Sequence, residues 1–469
     1  MTTRTFKEVD KQEENPFSKL VQDQKIVLIP EVTLECGDIL HQVPVAYKTW
    51  GKMNEAADNV MVICHALTGS ADVADWWGPL LGPGRAFDPT KFFIICLNSL
   101  GSPYGSASPC TIDPDTGKYY GPEFPLVTIK DDVNIHKLVL DDIGVKSIAA
   151  VIGGSMGGML VLEYAYFGKD YVRTIVPLAT CATHSAWGIS WGETQRQSIY
   201  SDPKYNDGYY TFDDPPIVGL GAARMAAMLT YRSRNSFESK FGRNLPDPLR
   251  HKGVDKSTNR IRLPANASEE RWLIHNQGHQ QGRKLASGTS SPTEEKSQSL
   301  ERTDSSSSLS SATKPQTFFT AQSYLRYQGE KFVSRFDANC YIAITRKLDS
   351  HDVSRGRGDD IEKALALIKQ PTLVIGISSD GLFTFSEQEK LAENIPNAVL
   401  KEITSPEGHD AFLLEFEEIN TLIVDFLKTH HPDILNQEGI SWEEATVGKV
   451  KKSSLFGEAE GEDLDLTSW

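Results

Sequence analysis

Three short stretches of this 469-residue chain carry residue types that could do chemistry together. The first is Val151-Ile152-Gly153-Gly154-Ser155-Met156-Gly157-Gly158-Met159, a G-x-S-x-G pattern with additional glycines around it. A serine on a tight strand-to-helix turn needs neighbours without Cβ atoms, because the two arms of the turn pass close together. Such a turn lifts the Ser155 hydroxyl clear of its strand and aims the Met156 N–H, at a helix N-terminus, toward any oxyanion formed there. A hydroxyl is a poor nucleophile and needs a base, and the base needs a carboxylate to orient it. Asp380 closes TLVIGISSD, 225 positions downstream, and His409 sits in SPEGHDAF, each just beyond an apolar run. The order serine, acid, histidine suits a nucleophile presented in this way. His65 precedes the serine, so it is read as structural, and His184 and His351 precede the penultimate strand-like run.

The elements needed to position these groups are legible around them. VPVAYKTWG, NVMVICHAL, KFFIICLNS, SIAAVIGGS and RTIVPLAT each read as a strand, and QPTLVIGISSD and AVLKEI resume the pattern late in the chain. Several are continuously apolar rather than alternating, which is the mark of parallel strands covered on both faces. DDVNIHKLVLDDIG between two of them has helical spacing and stops at Gly144. The predicted fold class is α/β, a mostly parallel central sheet of the α/β-hydrolase type with an inserted helical lid. In that fold the loop after an early strand supplies a second oxyanion donor, which places it in Cys64-His65-Ala66-Leu67-Thr68, at the Leu67 N–H.

The expected organisation is an N-terminal extension (1–24), a first core segment (25–184), a helical lid (185–350), a second core segment (351–432) and an acidic tail (433–469). Within the lid, GLGAARMAAMLTYRSR and QSYLRYQGEKFVSRF read as amphipathic helices. Residues 287–313 hold 15 Ser or Thr among 27, too few large apolar groups to offset the entropy of ordering. A disordered insert is therefore predicted at about 245–316, and the sequon Asn266-Ala267-Ser268 beside it is read as a chance match.

Composition excludes other classes. With 39% hydrophobic and 24% charged residues the chain can bury a large core. Its 48 basic against 63 acidic residues, net −15, argue against a nucleic-acid or anionic-membrane partner. The six cysteines contain no C-x-x-C pair, which disfavours a disulfide scaffold or a zinc knuckle, and no metal is predicted. No apolar h-region and no membrane-length apolar run is present, so a cytoplasmic setting is expected.

HALTGSADVADWWGPLLG, FFIICLNSLGSPYGS, GPEFPLVTIKD, HSAWGISWGETQRQSI, GAARMAAMLTYRSRNSFESKFGR, IGGSMGGM and GHDAFLLE together resemble the homoserine O-acetyltransferases of methionine biosynthesis, over most of residues 25–245 and 320–430. The resemblance implies a ping-pong reaction without a bound cofactor. Acetyl-CoA, a co-substrate, would acetylate Ser155, and L-homoserine would take the acetyl group. It also implies a homodimer, a homoserine-binding role for Arg224 and Asp410, and a place for Tyr231 at the active-site entrance. A guanidinium can grip the carboxylate of an amino acid and an aspartate its ammonium.

Several alternatives stay open. L-serine differs from L-homoserine by one methylene, worth only ~1–3 kcal/mol of discrimination. Succinyl-CoA could replace the acetyl donor. A serine carboxylesterase would share the same three residues but would not need Arg224 and Asp410. A catalytically dead scaffold of this fold would usually lack one of the three.

Overall fold

A computed structural model describes residues 5–245, 266–279 and 318–445. Nine strands form one sheet in the order β1-β2-β3-β5-β4-β6-β7-β8-β9. They are β1 Lys7–Val9, β2 Lys25–Thr33, β3 Ile39–Trp50, β4 Val60–Cys64, β5 Phe93–Leu97, β6 Ile148–Gly154, β7 Val172–Leu178, β8 Thr372–Ile377 and β9 Ala398–Ile403. From β5 to β9 every neighbouring pair is parallel, whereas β1, β2 and β3 join antiparallel. β4, β6 and β8 are buried at every position, which accounts for their unbroken apolar sequences. The architecture is that of the α/β-hydrolase fold. Among the described residues no helix is long and apolar enough to cross a membrane.

Helices cover the sheet, including α1 Ile129–Asp142, which follows β5, and α2 Met156–Ala165, which follows β6. α1 starts at a capping box in which Thr128 and Asp131 satisfy each other's backbone N–H groups. The helical excursion leaves the core after β7 and returns before β8. Its two connections run side by side, the His184 N–H donating to His351 O and the Val353 N–H to Ala182 O. It contains α3 Ala186–Tyr200, α4 Ile217–Tyr231, α5 Thr320–Val333 and α6 Ala338–Asp349. α4 packs on both α3 and α5, and α6 packs on α3. Lys347 of α6 fastens this layer to the core: fully buried, it donates to Leu100 O at 2.7 Å and to the buried Asp132 of α1 at 2.5 Å.

One expectation about the periphery needs correction, and two peripheral segments pack more closely than their composition suggests. The N-terminal extension packs on the core: β1 pairs with β2, and buried Gln12 and Asn15 donate to Gly105 O and Pro103 O. The first part of the tail is not loose either. Ile440 N–H bonds to Thr90 O, and Gly51 N–H bonds to Ala445 O at the end of a turn of helix, Trp442–Ala445. Inside the span 245–316, Asn266 caps a helix at Ala267–His275, accepting from the Ser268 and Glu269 N–H groups. The serine-rich stretch 287–313 and the acidic run near the C-terminus lie outside the described residues.

Candidate active site

Ser155 occupies the single residue between β6 and α2, at φ +59° and ψ −126°, a conformation costly for any residue with a Cβ. The strain is held by close packing on both sides. A Cβ on Gly157 would lie 2.2 Å from Cys64 O, and one on Gly153 would lie 2.7 Å from the Gly157 carbonyl group. Only hydrogen fits at either place, so the G-x-S-x-G pattern is a steric requirement. The Ser155 carbonyl accepts from Thr180 Oγ1 at 2.8 Å, and its side chain faces a pocket.

The other two predicted residues leave the ends of neighbouring strands. Asp380 follows β8, and His409 lies in a turn of 3-10 helix, Gly408–Asp410, after β9. The Gly408 N–H donates to Ser379 Oγ at 2.9 Å, tying the two loops together. His409 Nδ1 lies 2.6 Å from Asp380 Oδ2 in a fully buried contact. Asp380 Oδ1 accepts from the Leu382 and Phe383 N–H groups at 2.8 and 2.9 Å, so the carboxylate cannot swivel. The aspartate holds the Nδ1 proton, which leaves Nε2 as the basic nitrogen. The imidazole is wedged among Phe383, Phe412 and Tyr231, at centroid distances of 5.2, 5.2 and 6.2 Å.

Two of the three rival histidines have other employment, and burial holds all three neutral. His65 accepts the Ser99 N–H at Nε2, so its Nδ1–H donates to Ala66 O, and burial pushes its pKa down to about 4. His351 donates to Cys181 O and is likewise held down to about 4 by burial. His184 reaches the pocket wall with a pKa lowered to about 4, again chiefly by burial. These imidazoles are neutral at pH 7. Glu387, beyond Asp380, is pushed up to about 7 by burial and by the Asp380 charge.

The pocket brings together Ser155, His409, Leu67, Asp410 and Tyr231. It is a cleft partly open to solvent. Met156 is not itself a lining residue, but it follows Ser155 and opens α2, where the helix dipole favours negative charge. Arg224 is placed differently from the expected ligand grip. Its guanidinium is packed against the rings of Phe332 and Tyr231, 4.9 and 5.5 Å from their centroids, and it is not among the lining residues. Asp410 lines the pocket but is ion-paired, its Oδ2 lying 2.8 Å from Arg232 Nε, and Arg232 also pairs with Glu407. Arg232 went unnoticed in the sequence, although it sits one residue past Tyr231. Two further polar residues, Gln195 and Asp349 of the lid, also line the pocket and carried no recognisable signal.

One cluster among the described residues has donor types suited to a metal: Cys110, Asp337 and Cys340, with ligand atoms within 4.8 Å of one another. Asp337 is already engaged there by the Cys340 N–H and the Tyr210 hydroxyl, and the two thiols face each other at 3.6 Å. The cluster does not line the pocket.

Comparison with known proteins agrees with this geometry. A family model described as the alpha/beta hydrolase fold matches residues 59–416. The homoserine O-acetyltransferase of Emericella nidulans is 58% identical over 495 residues, covering 100% of this chain and 99% of that protein. That of Saccharomyces cerevisiae is 56% identical over 488 residues, with 100% and 99% covered. Among solved structures, a homoserine O-acetyltransferase from Bacillus anthracis superposes with a TM-score of 0.68 at 20% identity, covering 90% of this chain and 99% of that one. Esterase E22 superposes with a TM-score of 0.65 at 22% identity, covering 86% and 99%. The two structures, both below 25% identity, speak for the fold alone, whereas the full-length relatives speak for the family. The chain therefore belongs to the homoserine O-acetyltransferase family, acyltransferases built on the α/β-hydrolase fold.

Proposed function

We propose that this protein transfers the acetyl group of acetyl-CoA to the hydroxyl of L-homoserine through an acetyl-Ser155 intermediate. The observation that carries this reading is the buried 2.6 Å contact between His409 Nδ1 and Asp380 in a pocket shared with Ser155. In the first half-reaction His409 Nε2 takes the Ser155 proton as Oγ bonds to the thioester carbonyl carbon. The oxyanion is held by the Leu67 and Met156 N–H groups, each worth ~3–4 kcal/mol in a site of this kind. The C–S bond then breaks, and the thiolate leaves with the proton from His409. The second half-reaction repeats these steps, with the homoserine hydroxyl as nucleophile and Ser155 as leaving group.

Transfer must outrun hydrolysis, which requires a dry site and a positioned alcohol. Asp410 and Tyr231 line the pocket wall beside His409, and we assign them to the acceptor's ammonium and hydroxyl ends. Arg224, packed against Tyr231, is assigned to the carboxylate, with access gated by that ring. The homodimer is a proposal carried by resemblance alone, and the cytoplasmic setting one carried by the sequence reading.

The test is the purified protein with acetyl-CoA against homoserine, serine and water, following free thiol and ester product. Ser155→Ala should abolish both the transfer and the acetylated intermediate seen by mass spectrometry. Arg224→Ala should raise the homoserine KM while sparing thiol release. Faster turnover with serine or water than with homoserine would overturn the assignment, as would retention of the acetyl-enzyme by S155A.

A further inference from the structure

The catalytic pocket has a second polar region, on the lid, that the proposed chemistry does not use. Arg196 of α3 is almost fully buried. Its Nε and Nη2 bond to Glu193 Oε2 at 3.1 and 2.9 Å, and Nη2 also reaches Asp349 Oδ2 of α6 at 2.7 Å. This leaves Arg196 Nη1 and Asp349 Oδ1, both shut off from bulk solvent and both without a hydrogen-bond partner among the described residues. Such groups cost about 1–3 kcal/mol each when left unsatisfied, more when charged. Asp349 lines the pocket, Arg196 does not, and the two unpartnered atoms meet at Gly192. A Cβ added to Gly192, which lines the pocket, would lie 3.3 Å from Arg196 Nη1 and 3.5 Å from Asp349 Oδ1. The missing side chain at position 192 therefore opens a gap at an unused donor and an unused acceptor.

The charge balance says what fits. Two guanidiniums, Arg196 and Arg346, balance two carboxylates, Glu193 and Asp349, so the cluster is close to neutral overall and asks no charge of a ligand. A neutral group offering both a carbonyl and an N–H matches it. Resting on the acyl-CoA reading above, we propose that the Gly192 notch is the subsite for the amides of the donor's pantetheine arm. In that arm the carbonyl of the amide nearer sulfur and the N–H of the next are two methylenes apart and can face one side. Arg196 Nη1 donates to the carbonyl, and Asp349 Oδ1 accepts from the N–H. Trp191 and Leu348, which also line the pocket, cover the methylenes between them.

In a ping-pong enzyme kcat/KM for the donor reports only the first half-reaction and kcat/KM for the acceptor only the second. That separation makes the subsite testable. With wild type, thiol release from S-acetyl-N-acetylcysteamine, which keeps one amide, is compared with release from S-ethyl thioacetate, which has none. A hydrogen bond to a charged group should favour the amide-bearing donor by about tenfold or more in kcat/KM. Gly192→Ala fills the notch with a methyl group in a good helix former. It should cut kcat/KM for acetyl-CoA by about ten- to a hundredfold and abolish the preference between the two small donors. A wild-type preference below tenfold overturns the proposal. So does an equal loss of G192A on both small donors, or a loss confined to kcat/KM for homoserine. A wild type that fails to turn over acetyl-CoA at all refutes the functional reading itself, which is a separate outcome.

Discussion

Replacing Asp380 by Asn changes one atom's chemistry and almost no volume, and its consequence follows from three hydrogen bonds. Asp380 Oδ1 accepts from the Leu382 and Phe383 N–H groups, and Oδ2 accepts from His409 Nδ1. An asparagine has one acceptor end and one donor end. Turning its NH2 toward Leu382 and Phe383 would forfeit two backbone bonds, about 1 kcal/mol apiece, and set donor against donor. The carbonyl therefore stays with the backbone, and the NH2 meets His409. Facing a donor, Nδ1 must present its lone pair, and the proton moves to Nε2. The base then has no lone pair for the Ser155 hydroxyl. The expected outcome is a loss of about 10⁴-fold in kcat/KM for thiol release from acetyl-CoA, or about 5.5 kcal/mol of transition-state stabilisation. Folding should be retained, as checked by an unchanged urea midpoint, and ¹⁵N NMR should find the His409 proton on Nε2. D380N working within about tenfold of wild type, or carrying its imidazole proton on Nδ1, would refute the argument.

Three further outcomes rest on other parts of the structure. Lys347→Met should lower unfolding free energy by about 3–5 kcal/mol, because it removes the counter-charge of the buried Asp132, and adding Asp132→Asn, which removes that charge yet keeps an acceptor for the Leu100 N–H, should recover part of the loss in urea titrations. Gly157→Ala should destabilise the fold by at least ~1–3 kcal/mol and cripple acylation. The added Cβ meets the Cys64 carbonyl, a backbone atom that no rotamer change can move aside. Burial holds His65, His136 and His351 neutral, with pKa values lowered to about 4, about 3 and about 4 from an ordinary 6.5. Between pH 6.5 and about 4 the unfolded chain binds protons that the native protein excludes, so stability should fall steadily as pH drops through this window. A denaturation midpoint that stays level from pH 6.5 to 4 would contradict the burial of these rings.

The nucleophile was readable because its constraint is local. Gly153 and Gly157 are needed within four residues of Ser155, so sterics alone write them into a short pattern. Asp380 and His409 were readable for a related reason: Asp380 leaves the unbroken apolar run of β8, His409 follows the short AVL start of β9, and the two strands are adjacent and parallel. Where the deciding partner is distant, sequence was silent. Gln12 and Asn15 look like solvated residues of a loose terminus until Gly105 O and Pro103 O, about ninety positions away, satisfy them. β2 has polar residues and a proline among its apolar ones, in the pattern KIVLIPEVT, because it pairs antiparallel and its faces are unequally covered. Asn266 with Glu269 was a helix-start signal hidden by the composition around it.

The same distinction governs the substrate pocket, and it explains why motif matching and geometry part company there. A motif transfers a residue, not the neighbours that set its task. Arg224 stands in the matching stretch, yet aromatic rings face its guanidinium, while Asp410 meets Arg232 at 2.8 Å. A guanidinium stacked on rings keeps its charge and its in-plane donors, and an aspartate sharing one cation still has lone pairs to offer. Both side chains therefore retain the chemistry to recognise a zwitterion, but only with help from what surrounds them: movement of the Tyr231 ring for one, shared use of Arg232 for the other. At the Gly192 notch the logic reverses. Arg196 and Asp349 are 153 positions apart and match no familiar pattern, yet the lid packing of α3 against α6 leaves one donor and one acceptor beside a glycine. On the proposed reading, donor recognition belongs to the lid helices that meet at Gly192 rather than to any one stretch of sequence, and for that reason a single added methyl at position 192 is expected to separate donor from acceptor kinetics.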